Sequence, residues 1–311
     1  MLTVHENALE DRSTMLRKHM QIYKPIFFVG APRSGTTIIF EAFSVHEDLA
    51  WFSNMFERFP SFPEISILNR LSFSNLLRGA KRQNERKSRF LNIFPYPNEC
   101  YSGWERWCGK KFLFDYLINL GASEKEKRLL RKIISKVIIY HGKKRFATKI
   151  TGPARIHFLN SIFPDAKFIH LVRDGRAVVN SLMNVGFWNN GKGYEKPWWN
   201  NGLTNDDMKL YEKYKCSPIA LAALQWKRII AVARNEASKI SRERYCEIKY
   251  EEFIDDPHNC VEYLIEFAEL TKSVKVHEYI DKKSKLKSQN IKYLESLSSD
   301  QIDIINRIIN E

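Results

Sequence analysis

The segment Gly30-Ala-Pro-Arg-Ser-Gly-Thr-Thr37 decides the fold of this chain. An apolar run, Ile26-Phe-Phe-Val29, precedes it. After Ser34 the apolar residues recur at helical spacing, at Ile38, Ile39, Ala42 and Phe43. This pattern predicts a strand, a glycine-containing loop and a helix. In such an arrangement the amides of the helix N-terminus point at an anion, so the segment predicts a phosphate-binding loop.

The two glycines have the GxxxxG spacing of nucleotide-binding loops, but the residue after the second glycine departs from that pattern. Thr36 stands where a nucleotide-hydrolysing loop has lysine, and the nearby positive charge lies within the loop, at Arg33. Without that lysine the sequence does not favour ATP hydrolysis. A P-loop kinase or another nucleotide-dependent phosphotransferase remains the alternative function.

Strand and helix patterns alternate along the rest of the chain. Strands are predicted over 145–150, 166–172 and 247–250, and a short one over 49–52. Helices are predicted over 64–92, 110–141, 153–163, 176–184 and 218–241, with loops over 93–108 and 186–202. This alternation predicts a single α/β domain with a central parallel β-sheet flanked by helices.

Composition limits the classes of protein that fit. The 311 residues are 44% hydrophobic and 13% aromatic, which excludes a disordered chain. The net charge of +14 predicts an anionic partner. Five cysteines without a CxxC pair disfavour a zinc site and a disulfide framework. Residues 1–24 are polar, and no apolar run has the length of a membrane span, so we expect a cytoplasmic protein without a transmembrane segment.

Two segments resemble the sulfotransferases, which transfer a sulfuryl group from 3′-phosphoadenosine 5′-phosphosulfate (PAPS). Pro32–Thr37 resembles their 5′-phosphosulfate loop, and Phe163–Ser181 resembles their 3′-phosphate segment. In motif style the chain is closest to tyrosylprotein and bacterial carbohydrate-type sulfotransferases. The resemblance implies a P-loop-NTPase-like sulfotransferase domain over 25–311, with helical and loop insertions, after the polar segment 1–24.

The resemblance also nominates residues for PAPS binding. In the first segment these are Arg33, Ser34, Gly35, Thr36 and Thr37. In the second segment, Arg173 and Ser181 would hold the 3′-phosphate. The segment Ile248–Pro257 resembles a third family motif and nominates Tyr250, and Asn290–Tyr293 resembles a basic C-terminal segment and nominates Lys292.

Sulfuryl transfer requires positioning and charge stabilisation, and the activated donor makes a metal unnecessary. Arg33 and Lys149 are the predicted cationic catalytic residues. In relatives with this loop a glutamate follows the first helix and the next strand, which nominates Glu57 as the general base. Glu41 and His46 are the second choices for that role.

Aromatic residues gather in two segments that could contact an acceptor. One group contains Tyr96, Tyr101, Trp104 and Trp107, and the loop 186–202 contains Trp188, Trp198 and Trp199. Such rings suit a glycan or an aromatic hydroxyl, and they equally suit a hydrophobic core. The basic run 78–89 suits an anionic glycan or a solvated helix face. No nucleic acid is expected as a partner; O- or N-sulfation and the oligomeric state stay open.

Overall fold

The computed structural model describes residues 22–71, 94–189, 195–283, 288 and 290–310. Most of the predicted polar segment 1–24 and the whole basic run 78–89 lie outside the described residues. The prediction of one domain over 25–311 therefore stays a prediction.

Five parallel strands form the central sheet, in the order β2-β3-β1-β4-β5. They are β1 (Ile26–Gly30), β2 (Leu49–Ala50), β3 (Arg145–Thr151), β4 (Lys167–Val172) and β5 (Tyr245–Lys249). Strand β1 lies between β3 and β4, and the chain order reverses there. In parallel sheets ligands bind at the carboxyl ends of the strands at such a reversal, which is where the predicted phosphate-binding loop begins.

Helices cover the sheet. In chain order they are α1 (Thr36–Phe43), α2 (Asn54–Arg58), α3 (Tyr101–Cys108), α4 (Lys110–Phe114), α5 (Glu124–His141), α6 (Ile156–Ile162), α7 (Gly175–Met183), α8 (Gly186–Asn189), α9 (Asn205–Lys213), α10 (Pro218–Ala237), α11 (Tyr250–Asp255), α12 (Pro257–Phe267), α13 (Val274–Lys282), α14 (Lys292–Ser296) and α15 (Ser299–Asn310). Two 3₁₀ helices span Pro63–Leu71 and Arg242–Arg244. The predicted α/β fold with a parallel sheet flanked by helices is confirmed.

The apolar run of β1 is buried on both faces of the sheet. Phe27 and Val29 belong to one hydrophobic cluster, and Ile26 and Phe28 belong to another. Successive strand side chains point to opposite faces, so a strand covered by helices on both sides needs an uninterrupted apolar run. This burial fixes the position of Gly30, from which the loop starts.

Several predicted elements differ from the observed ones. The predicted helix 110–141 is divided into α4 and α5, the predicted loop 186–202 contains the short helix α8, and the described part of the predicted helix 64–92 is a 3₁₀ helix. The predicted loop 93–108 contains helix α3, whose buried face includes Trp104 and Trp107. The predicted strand 49–52 ends at Ala50, because the carbonyl of Phe52 instead accepts a hydrogen bond from the amide of Asn98 at 2.8 Å. None of the helices in the described ranges is long and apolar enough to cross a membrane.

Candidate active site

The loop after β1 turns through two left-handed residues. Arg33 has φ 71° and Gly35 has φ 82°, and the amide of Ser34 donates to the carbonyl of Ala31 at 3.2 Å. Helix α1 begins directly after Gly35, which has no side chain that could cap the first amides. Left-handed turns leading into a helix N-terminus form a concave set of amides that suits an anion. The loop therefore has the geometry of a phosphate or phosphosulfate cradle.

Glycine is required at position 35 because Tyr250 packs against it. A Cβ added to Gly35 would lie 2.3 Å from Cδ2 of Tyr250. Tyr250 is the first residue of α11 and follows β5 directly. The close approach therefore places the predicted nucleotide-binding tyrosine beside the loop.

The hydroxyl side chains of the loop differ in their environments. Ser34 and Thr36 are buried, whereas Thr37 is exposed. The Ser34 hydroxyl has no hydrogen-bond partner among the described residues. Buried polar groups normally have partners, so an unpaired hydroxyl inside an anion cradle fits a site that receives a ligand oxygen.

Arg173 joins the end of β4 to the loop. Its Nη1 donates to the carbonyl of Arg33 at 2.9 Å, and its Nε donates to Oδ1 of Asn290 at 2.9 Å. The guanidinium lies over the Tyr250 ring, 4.5 Å from the ring centre, and the residue is only 9% exposed. Burial lowers the pKa of Arg173 from its ordinary value, with partial compensation from Tyr250 and Glu251.

Ser181, on α7, completes this group, because its Oγ accepts a hydrogen bond from Nε of Arg33 at 2.9 Å. We call Arg33, Arg173, Ser181, Tyr250 and Asn290 the arginine cluster. Residues from both phosphate-binding segments and from the two C-terminal segments meet here. The side chain of Arg33 points toward Ser181, the residue predicted to hold the 3′-phosphate.

The C-terminal segment contributes a residue that the sequence analysis did not nominate. Lys292 is exposed at the first position of α14, and its carbonyl accepts a hydrogen bond from Ser296 Oγ at 2.7 Å. Asn290, two residues earlier, contacts Arg173 and also donates to Glu251. The only sequence signal for Asn290 was its place in the segment that nominated Lys292.

A second group of polar side chains lies at the end of β3. Nζ of Lys149 is 2.7 Å from Oε1 of Glu99 and donates to Oγ1 of Thr37 at 2.8 Å. Oγ1 of Thr151 donates to Oε2 of Glu99 at 2.9 Å and lies 2.6 Å from the Tyr101 hydroxyl. We call Thr37, Glu99, Tyr101, Lys149 and Thr151 the lysine cluster. It forms a continuous hydrogen-bonded path from the loop to α3.

Burial, and then the Glu99 carboxylate, raises the pKa of Tyr101 well above its ordinary value. Tyr101 is therefore a neutral hydrogen-bond donor at physiological pH. Sequence reasoning missed Glu99 because its partners Lys149 and Thr151 lie about fifty residues further along the chain. Only the fold brings them together.

Glu57, the predicted base, contacts α3. Its Oε1 accepts a hydrogen bond from the amide of Ser102 at 3.0 Å, and its carbonyl accepts one from Ser102 Oγ at 2.6 Å. These bonds hold the N-terminal turn of α3, and the catalytic role of Glu57 stays a prediction. The two second choices are also hydrogen-bonded elsewhere: Glu41 accepts from the Tyr279 hydroxyl, and His46 Nε2 lies 2.8 Å from the Thr271 carbonyl.

A cavity of about 320 Å³ adjoins both the loop and the lysine cluster. It is lined by Pro32, Tyr101, Leu113, Phe114, Thr151, Trp198 and Trp199. Of the two predicted aromatic groups, Tyr101, Trp198 and Trp199 line the cavity, and Trp199 is also buried in a hydrophobic cluster, as are Trp104, Trp107 and Trp188. Some of the predicted rings therefore line a cavity while others pack in the core, and their contact with an acceptor stays a prediction.

Comparisons with known proteins agree with this geometry. A family model described as "Sulfotransferase family" matches residues 25–273. The sulfotransferase STF9 from Mycobacterium avium aligns with a TM-score of 0.58 at 15% identity, over 98% of this chain and 79% of that one. The sulfotransferase STF1 from Mycobacterium tuberculosis H37Rv aligns with a TM-score of 0.55 at 14% identity, over 95% and 79%. No curated protein matches the sequence.

The family match confirms the resemblance drawn from the two phosphate-binding segments, and with it the prediction of an enzyme. It does not favour the phosphotransferase alternative. At such low identity the two solved structures show the shared fold. Within the described ranges no three His, Cys, Asp or Glu side chains gather as a metal site, and the absence of a metal requirement stays a prediction.

Proposed function

The chain belongs to the sulfotransferase family, and we propose that it transfers a sulfuryl group from PAPS to a hydroxyl or amine of its acceptor. One observation carries the proposal: the arginine cluster and the lysine cluster lie on two sides of a single anion-binding loop and both contact it. The arginine cluster provides cations for a nucleotide that carries phosphate groups at two positions. The lysine cluster provides a cation and a carboxylate for the transfer step.

The residues around the loop fit PAPS. The amides after Gly35 and the unpaired hydroxyl of Ser34 would receive the 5′-phosphosulfate, with Thr36 and Thr37 following on α1. Arg173 and Ser181 would hold the 3′-phosphate, where charge-assisted hydrogen bonds from arginine are strongest.

Two further residues would bind the nucleotide at its edges. Tyr250 presents a ring beside the loop, and Lys292, exposed at the start of α14, would add charge at the rim. The highly anionic donor also accounts for part of the net charge of +14.

In the transfer step, the acceptor oxygen or nitrogen forms a bond to sulfur while the bond between sulfur and the 5′-phosphate oxygen breaks. The electron pair of that bond leaves with adenosine 3′,5′-bisphosphate (PAP), and the acceptor proton moves to a base. Lys149 lies where it can stabilise the charge on the transferred group and the leaving oxygen. Arg33, the other predicted catalytic cation, lies on the same loop, and its Nε donates to Ser181.

Glu99 is the proposed base. Its two carboxylate oxygens face Lys149 and Thr151, so it lies between the loop and the 320 Å³ cavity. A general base must lie within hydrogen-bonding reach of the acceptor proton, either directly or through one intermediary. Glu57, the base predicted from the sequence, is the competing candidate, and its carboxylate binds the Ser102 amide.

Paired variants decide between the two carboxylates. Glu99→Gln is expected to lower kcat by about 10²–10⁴-fold because the amide cannot take up the proton. Glu57→Gln is expected to keep kcat within about 3-fold, because the glutamine carbonyl oxygen can still accept the hydrogen bond from the Ser102 amide and no transition-state interaction is removed. Acceptor-dependent release of PAP from PAPS measures turnover, and calorimetry with PAP checks that both variants keep the donor site. Normal turnover in Glu99→Gln with a large loss in Glu57→Gln would reverse the assignment.

The acceptor, predicted from the sequence as a carbohydrate or an aromatic hydroxyl, and the cytoplasmic location both stay predictions. The cavity next to Glu99 bears on the acceptor most directly.

A further inference from the structure

We infer that the cavity beside the lysine cluster binds a compact apolar alcohol or phenol and presents its single hydroxyl to Glu99 for sulfation. The inference rests on the proposed function and specifies the acceptor class of the same site. It selects the apolar hydroxyl compound over the carbohydrate.

The lining of the cavity is apolar and uncharged. Four of its seven residues are aromatic, two are Pro32 and Leu113, and the seventh is Thr151. An anionic glycan needs cations along its path, and none of these seven residues carries a charge. Apolar walls with a few placed polar groups are typical of sites for small hydrophobic ligands.

The two hydroxyl groups that line the cavity, those of Tyr101 and Thr151, already have partners. The Tyr101 hydroxyl is 2.6 Å from Oγ1 of Thr151, and Thr151 donates to Glu99. One acceptor hydroxyl can join this path at Thr151, whose Oγ1 passes the hydrogen bond on to Glu99. The other hydroxyls of a sugar would face Leu113 and aromatic rings, where a buried hydroxyl without a partner destabilises the complex.

The walls are held in place by buried polar side chains. Arg155 is 1% exposed and donates to the carbonyls of Pro153 at 2.6 Å and Leu113 at 3.1 Å, which ties α4 to the segment after β3. Gln225, also 1% exposed, accepts a hydrogen bond from the Trp198 amide at 2.8 Å. A preformed apolar site loses little entropy when a rigid ring enters it.

The cavity volume of about 320 Å³ is at the small end of ligand sites and suits one or two fused rings. With 2-naphthol as acceptor, the naphthol oxygen bonds to the sulfur of PAPS and the bond from sulfur to the 5′-phosphate oxygen breaks. Its proton goes to Glu99. The products are naphthyl sulfate and PAP.

The direct test compares 2-naphthol with methyl N-acetylglucosaminide as acceptors for the wild-type chain with PAPS. We expect kcat/KM for 2-naphthol to exceed that for the sugar by at least about 100-fold. Equal or better turnover of the sugar, or no turnover of 2-naphthol by protein that binds PAP, would overturn the inference and leave the donor site standing. If folded protein does not bind PAP, the proposed function fails and the inference fails with it.

A matched pair of substitutions tests the location. Leu113→Trp fills the cavity and is expected to lower kcat/KM for 2-naphthol at least about 10-fold, with PAP affinity unchanged. Leu120→Trp, at a 56% exposed leucine that does not line the cavity, is the control and is expected to change neither quantity. Equal turnover of 2-naphthol by the two variants would place the acceptor elsewhere and overturn the inference.

Discussion

Lys149→Met is expected to lower kcat by about 10²–10³-fold, the effect of removing one preorganised charge-stabilising donor from an active site. Lys149 lies at the end of β3. Its ammonium contacts Thr37, at the start of α1, and Glu99, the proposed base. Since charge develops on the transferred group and on the leaving oxygen, the loss should appear in kcat rather than in PAP affinity. The rate of acceptor-dependent PAP release from PAPS measures the kcat of the variant.

Two controls separate this catalytic effect from a structural one. Lys144→Met changes a 77% exposed lysine just before the other end of β3, paired with Asp48, and should leave kcat unchanged. The double variant Lys149→Met/Glu99→Gln removes the unpaired carboxylate that the single change leaves behind. Its kcat is compared with that of Glu99→Gln alone: a further large loss assigns charge stabilisation to Lys149 itself, whereas an equal kcat shows that Lys149 acts only by neutralising Glu99.

Arg173→Ala is expected to weaken PAP binding by about 10–100-fold, the range for loss of hydrogen bonds to a charged group. The guanidinium is held between the Tyr250 ring and the Arg33 carbonyl, so it is positioned before the ligand arrives. The effect should be specific to the 3′-phosphate. Adenosine 5′-monophosphate, which lacks that phosphate, should lose little affinity in calorimetric titrations.

Arg131→Ala provides the matched control for this substitution. Arg131 lies on α5 and donates to the Ile162 carbonyl, and among the described residues it forms no hydrogen bond to the loop or to Tyr250. Its replacement should leave PAP affinity unchanged. An equal loss of affinity for PAP and for the monophosphate in Arg173→Ala would assign that arginine to loop structure rather than to the 3′-phosphate.

The parts of the fold that the sequence predicted are those set by local pattern. The strand predicted over 145–150 is observed as Arg145–Thr151, and the one over 166–172 as Lys167–Val172. Both are central strands, and in each of them every residue except the last is buried. The sequence predicted a loop where helix α3 is observed. The buried face of this helix packs in an aromatic cluster, in which the stacked rings of Trp104 and Phe112 have centres 4.5 Å apart, and that cluster exists only in the folded chain.

The residues of the candidate site also divide into those that the sequence could predict and those that only the fold reveals. The loop and Arg173 follow strand ends, and the sheet topology brings strand ends together, so their proximity could be predicted. Glu99 and Asn290 reach the site through contacts between segments far apart in the chain, to Lys149 and to Arg173. No local pattern identifies such residues, so the sequence could nominate Glu57 and Lys292 but could not nominate Glu99 and Asn290.

The most direct test is a calorimetric titration of the wild-type chain with PAP and with adenosine 5′-monophosphate, both in the presence of EDTA. We predict micromolar binding of PAP and at least about 10-fold weaker binding of the monophosphate, because the arginine cluster holds the 3′-phosphate. Equal affinity for the two nucleotides, or no binding of PAP by the folded chain, would contradict the account.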